Sequence, residues 1–324
     1  MAPRRGGGSS GGYSSGSSNQ CSDYDAFATT FARIYIAFHA LFFLVFVTVF
    51  FILVAKHKRT KRVAKAPLLW FCLYFSIIFS IISTALSIIF NTLSECGIFV
   101  GNDAYRASIS IDWLGTTATL LVILAIMFPI SQRLHHGNKG MGGLVRIAHS
   151  VTLGLFAILL IVSLSITTRV VDALYSSGYR YGLGSDIADL AIHQRRIWVA
   201  CYAMGVICML VAAATMLFAL VRNPNFRRGS LRIGIPLLIL SSLAMTLLDL
   251  GGYIHNTYGS FSSYRSTRYL EQSYEAQLFL RYFFYTCAFL STLLVGSTAD
   301  LHGSYAPRFD LQAPAPPMYQ PRVH

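Results

Sequence analysis

Apolar residues along this chain fall into seven long uncharged runs, not into short alternating segments. The runs cover roughly 32–55, 68–90, 110–131, 147–167, 197–221, 233–254 and 278–298. Each is close to the 20 or so residues that a helix needs to cross the hydrocarbon core of a bilayer. Their apolar character extends around the helix, as lipid on several sides demands. The expected fold is all-α: a polytopic, seven-transmembrane helix bundle over 31–299. A Gly/Ser-rich tail (1–30) precedes it and a Pro-rich tail (300–324) follows, and neither has the apolar content to build a core. The opening MAPRRGGGSSGGYSSGSSNQ has no apolar segment of the signal-peptide kind, so the first run is expected to serve as a signal anchor.

Composition agrees. The chain has 324 residues, is 54% hydrophobic and only 12% charged, about half the charge of an ordinary soluble domain. A net charge of +13 in a soluble protein would suggest a nucleic-acid partner. Here the basic residues have a different distribution, and no nucleic-acid partner is expected. The first link between runs carries Lys56, Lys58, Arg59, Lys61, Arg62 and Lys65. The third carries Arg133, Lys139 and Arg146, and the fifth Arg222, Arg227, Arg228 and Arg232. With Arg308 and Arg322 of the tail, fifteen basic residues fall on one side and nine on the other, and all five lysines are among the fifteen. Cytoplasmic loops carry such an excess, so the amino terminus is expected outside and the carboxyl terminus in the cytosol. The Lys56–Lys65 cluster suits stop-transfer charge, and it also suits contact with anionic lipid headgroups.

Of six cysteines, Cys72, Cys201, Cys208 and Cys287 fall inside runs, where a thiol packs as a small apolar group. Cys21 and Cys96 lie outside the runs on the expected outer side, where disulfides persist, and a Cys21–Cys96 bridge is the expected pairing.

Polar residues inside the runs recur at helical spacing. Ser76, Ser80, Ser83 and Ser87 share one face of the second run. Asp112, Thr116 and Thr119 share one of the third, and Ser242, Thr246, Asp249 and Tyr253 one of the sixth. Arg281, Tyr285 and Thr292 share one of the seventh. Lipid cannot satisfy these groups, so the faces are expected to turn into the bundle. Cys201, Gly205, Cys208 and Ala212 make a small-residue stripe on the fifth run, suited to close helix packing. Given the alternating direction of the runs, His39, Asp112, Asp249 and Arg281 all come to the outer half. An Asp249–Arg281 pair with Asp112 and His39 nearby would relieve the cost of bare charge in a membrane. Two readings follow: a ligand pocket walled by Tyr35, Tyr253, Tyr282 or Tyr285, or a structural ion pair joining the sixth helix to the seventh.

No nucleophile–base pair, metal-ligand spacing or cofactor motif stands out, so neither an enzyme nor a cofactor or metal is expected. His135-His136 lacks a third ligand at useful spacing. The candidate functions are a receptor or sensor of a small or amphipathic ligand, a transporter or exporter of lipids or amphipathic compounds, and a membrane adaptor working through its tail. The plasma membrane is the expected site, with an endomembrane the alternative.

The architecture resembles that of rhodopsin-like receptors, but their motifs are missing. The third run ends MFPISQRLHH, without an acidic-Arg-aromatic triplet, and the seventh ends VGSTADLH, without N-P-x-x-Y. No lysine lies in a run, which excludes a retinal Schiff base. The chain is similar in style to the seven-helix integral membrane proteins of filamentous fungi. In its last third it resembles the fungal lipid-translocating exporter family, through LRYFFYTCAFL with Glu271 and Glu275 before it and His302 and Pro307 after it. That likeness implies movement or sensing of lipids. The family's closing His-Pro-Gly is replaced here by LHGSYAP, so no functional residue carries over.

The carboxyl tail contains Pro316-Pro317-Met318-Tyr319, a P-P-x-Y string. WW domains grip such peptides because proline pre-sets the polyproline II shape. The string therefore implies a WW-domain ubiquitin ligase as a partner, with the cytosolic lysines as acceptors.

Overall fold

The computed structural model describes residues 27, 29–60, 67–96, 102–135, 141–176, 184–222, 231–258 and 267–298. Its helices are α1 (Thr30–Thr60), α2 (Pro67–Glu95), α3 (Asn102–Ala125), α4 (Ser131–His135), α5 (Met141–Ser176), α6 (Gly184–Arg222), α7 (Leu231–Tyr258) and α8 (Thr267–Ser297). A π-helical segment, Ile126–Ile130, joins α3 to α4, so the three form one continuous rod. No strand occurs among the described residues. Seven helical stretches are long and apolar enough to cross a membrane, and they coincide with the seven runs.

The helices extend beyond the apolar windows at nearly every end. The seventh run begins near 278, yet α8 begins at Thr267, as the polar segment ahead of it suggests. α6 begins at Gly184, which puts Ser185 and Asp186 inside its first turn. The cause is general: hydropathy marks where lipid begins, whereas a backbone ladder continues until a cap or breaker stops it. At the start of α1 the cap is visible, because the Thr29 hydroxyl accepts from the Ala32 N–H at 3.2 Å. At its far end, Lys58 and Arg59 of the basic cluster sit in the last turn, where the helix dipole favours cations. Lys56 is one turn inward and exposed, while Lys61, Arg62 and Lys65 lie outside the described residues.

Each helix packs against its neighbours in the order α1, α2, α3, α5, α6, α7, α8, and α8 returns to α1. The result is a closed ring. Outward faces carry large apolar residues: on α5 alone Leu144, Ile147, Val151, Leu155 and Ile158 are more than half exposed. Similar apolar faces recur on α1, α2, α6, α7 and α8, and they are what a bilayer covers. Inward faces carry the polar stripes. Ser76, Ser80, Ser83 and Ser87 are all buried, as are Ser242 and Thr246. The small-residue stripe of α6 is buried too, and a Cβ on Gly205 would stand 3.5 Å from the Phe156 ring of α5.

The two halves of the bundle differ. One holds the start of α1, the end of α2 and Cys96, and is called here the Cys96 half. Cys96 is buried and disulfide-bonded, while Cys72, Cys201, Cys208 and Cys287 are free. Cys21, its expected partner, lies outside the described residues. The other half is filled by large apolar side chains with less than 2% exposure, among them Leu53, Leu69, Ile126, Met127, Ile130 and Phe289.

Within that apolar half lies a feature the apolar pattern did not show. Pro129 sits inside the π-helical segment. Proline lacks an N–H and its ring crowds the carbonyl one turn back, which loosens a helix. Ser131 N–H bonds to Phe128 O, where a regular α-helix would use Met127 O. Met127 O receives His149 Nδ1 from α5 at 2.6 Å.

Candidate functional site

In the Cys96 half the inward polar faces meet around a cavity of about 310 Å3. All seven spans contribute to its lining, from Phe46 of α1 to Tyr285 of α8. The seven-helix ring is thus the scaffold of one site, and no pair of helices could build it alone.

Its charged groups come from three helices. Asp249 of α7 and Arg281 of α8 form an ion pair with Nε to Oδ1 at 3.0 Å, as the sequence pattern suggests. The Asp249 side chain keeps 9% of its exposure and that of Arg281 keeps 43%, and both line the cavity. Asp112 lines it from α3. Its carboxylate makes no hydrogen bond and no ion pair within 4 Å among the described residues; its backbone carbonyl accepts from the Thr116 hydroxyl at 2.6 Å.

The wall beside these charges is built by hydroxyl networks. Tyr285 reaches from α8 into the serine stripe of α2. Its hydroxyl is 2.6 Å from Ser76 Oγ and accepts from Ser80 Oγ at 2.8 Å. Ser76 donates its single proton to Ala118 O of α3 at 2.7 Å, so the tyrosine proton goes to Ser76. One chain of hydrogen bonds therefore fixes α8, α2 and α3 to each other. On the opposite wall Thr167 of α5 accepts from Gln194 Nε2 at 2.9 Å and from Trp198 Nε1 at 2.8 Å. Trp198 and Tyr202 stack at 5.3 Å, and Tyr253 of α7 packs on Tyr202 at 5.3 Å.

Not every candidate reaches the cavity. Asp112, Asp249, Arg281, Tyr253 and Tyr285 line it, and Tyr282 does so as well. Thr246 lies one turn deeper, against a smaller pocket of about 20 Å3 that shares Asp249 and Arg281, with its hydroxyl returned to Ser242 O at 3.2 Å. His39 stands behind the wall. Its Nδ1 lies 3.0 Å from Tyr35 O, its Nε2 3.5 Å from the Tyr282 hydroxyl, and its ring packs between the two tyrosines. His39 is therefore a buried support for Tyr282 and not a lining group, and Tyr35 stacks away from the cavity on Tyr274.

The sequence pattern also missed a wall. Gln194, Trp198 and Tyr202 recur at i, i+4 and i+8 on α6, which is the signal for one face. Gln194 lies before the apolar run on the helical extension, and the small-residue stripe beside it is the more conspicuous pattern. Pro316, Pro317 and Tyr319 lie outside the described residues. Among the described residues no group of three His, Cys, Asp or Glu side chains could hold a metal ion.

No protein-family model, curated protein or solved structure matches this chain.

Proposed function

We propose that this protein is a receptor-like seven-transmembrane protein whose polar cavity holds a small or amphipathic ligand. The observation that carries the reading is one polar cavity lined from all seven spans, with an ion pair and a lone carboxylate in it. Ionisable groups at membrane depth are expensive and mark ligand or ion sites by default. The close apolar packing beyond the cavity supports binding over passage, because a carrier needs a route through that half. Transport of lipids or amphipathic compounds is the second reading, favoured by the likeness of the last third to lipid-translocating exporters.

The cavity faces outward in this proposal. The basic links support that orientation, and so does the disulfide at Cys96, since disulfides persist on the non-cytosolic side. Cys21 is the partner proposed for Cys96.

Thermal-shift screening of the purified protein against lipids and small polar compounds is the direct test. At least one chemical class is expected to raise Tm saturably, while vesicles holding the protein show no flux of that class. Flux without a saturable shift would select the transport reading instead.

The tail belongs to how the protein is managed. With the carboxyl terminus in the cytosol, Pro316, Pro317 and Tyr319 are available to a WW-domain ubiquitin ligase, and Lys56, Lys58, Lys61, Lys65 or Lys139 to its ubiquitin. Tyr319→Ala is expected to lengthen the protein's half-life in cells by about twofold or more, since removing one anchor of a short docking peptide removes most of its affinity. An unchanged half-life, with no binding of the tail peptide to WW domains, would eliminate this role.

A further inference from the structure

Asp112, Asp249 and Arg281 are the charged groups that reach the cavity among the described residues. Arg281 pairs with Asp249 at 3.0 Å and is also close enough to act on Asp112, so one cation serves two carboxylates and Asp112 has no direct partner of its own. Nothing described around it supplies a second cation: the α3 residues beside it are Ile111, Gly115 and Thr116, and the nearby Ser83 hydroxyl donates to Ile111 O at 3.3 Å. An ionised carboxylate at membrane depth normally has a partner. Here it has space instead, and the cavity's net charge is −1 when all three groups are ionised.

The remaining surface suits the same kind of occupant. Trp198, Tyr202 and Tyr253 supply an aromatic wall, which packs apolar groups and attracts cations through ring quadrupoles. The volume of about 310 Å3 is at the small end of ligand cavities. A zwitterion would leave the net charge unchanged. An anion would add to it and compete with Asp249 for Arg281.

We propose that the cavity binds a small organic monocation, an amine whose ammonium group pairs with Asp112 and whose apolar part lies on the Trp198–Tyr202–Tyr253 wall. The proposal rests on the reading of the cavity as a ligand site and adds the charge of the ligand. Asp112 is its counter-ion, and the Arg281–Asp249 pair is a neutral support.

The test uses the full-length protein in nanodiscs, with a reporter thiol in the cavity (Thr116→Cys) and a reference thiol at the exposed Ser94→Cys. Labelling rates are measured with a trimethylammonium-bearing and a sulfonate-bearing methanethiosulfonate, against the background of the unsubstituted chain. The cation-to-anion rate ratio at the cavity thiol is expected to exceed that at the reference by about tenfold, the effect of one nearby charge in a poorly screened site. Asp112→Asn is expected to remove the excess and Asp112→Glu to keep it. Phenethylamine is expected to slow labelling, with 2-phenylethanol, phenylacetate and phenylalanine much weaker. A ratio unaffected by Asp112→Asn, or equal protection by the alcohol, overturns the cation assignment while the cavity still stands as a ligand site. Stronger protection by phenylacetate or phenylalanine overturns it in favour of Arg281 as the recognising group. A cavity thiol that reacts with neither reagent overturns the ligand-site reading itself.

Discussion

Arg281→Ala is expected to lower thermal stability much more than Asp249→Asn. The pair spans α7 and α8 at 3.0 Å, so both changes remove the same contact. They differ in what they leave behind. Without Arg281, the cavity keeps the two carboxylates of Asp112 and Asp249 and no cation among its described lining residues. Without the Asp249 charge, Arg281 still shares the cavity with Asp112, and its flexible, 43% accessible side chain can turn toward that carboxylate. Removing one partner of a fully buried pair costs about 3–5 kcal/mol. Access to the cavity reduces that figure, so a loss of roughly 2 kcal/mol is expected for Arg281→Ala and under about 1 kcal/mol for Asp249→Asn. Unfolding midpoints at a fixed scan rate in one detergent give the comparison. The double variant Arg281→Ala with Asp249→Asn is expected to be more stable than Arg281→Ala alone, because the stranded charge is gone. Equal losses for the two single variants, adding in the double, would show that the pair is not coupled.

That asymmetry also separates the two readings of the pair. A purely structural clasp predicts that stability and ligand response fall together. A ligand site predicts that Asp249→Asn, which is expected to fold nearly normally, still alters ligand response.

Much of this site was legible in the chain. A charge in lipid is so costly that Asp112, Asp249 and Arg281 had to face inward, and three-dimensional placement followed from helical period and alternating direction. The serine stripe of α2 was legible for the same reason, although Ser87 settles on Ser83 O of its own helix at 2.9 Å. Neighbour identity was not legible. Nothing in the spacing says that Tyr285 ends between Ser76 and Ser80, or that His39 supports Tyr282 from behind, because helix order and rotation arise from packing across the ring. The wall from α6 was hidden because Gln194 precedes the apolar run while the helix begins ten residues earlier still, at Gly184.

The π-helical segment was invisible for a related reason, and its consequence is the second large effect expected. His149 lies in the apolar half, buried on α5. Met127 O can only accept, so a ring proton is on Nδ1, while Nε2 lies 3.2 Å from the Thr215 hydroxyl, whose single proton also has Ala212 O at 2.9 Å and Val211 O at 3.1 Å as acceptors. His149→Leu removes the Nδ1 contact to the Met127 carbonyl in an apolar core, at an expected cost of about 1–3 kcal/mol. Thr215→Val leaves the Met127 contact in place and is expected to cost no more than about 1 kcal/mol. His149→Asn, whose amide N–H can occupy the place of Nδ1, is expected to recover part of the loss. The stronger test is coupling to Pro129. If the proline causes the segment, Pro129→Ala lets the helix return to the α form and gives Met127 O its Ser131 N–H. The carbonyl then no longer depends on His149, so His149→Leu should cost clearly less in the Pro129→Ala background than in the native chain. Midpoints of the four proteins in one double-mutant cycle measure the difference. Strict additivity would mean that the carbonyl is exposed by packing around α5 and not by the proline.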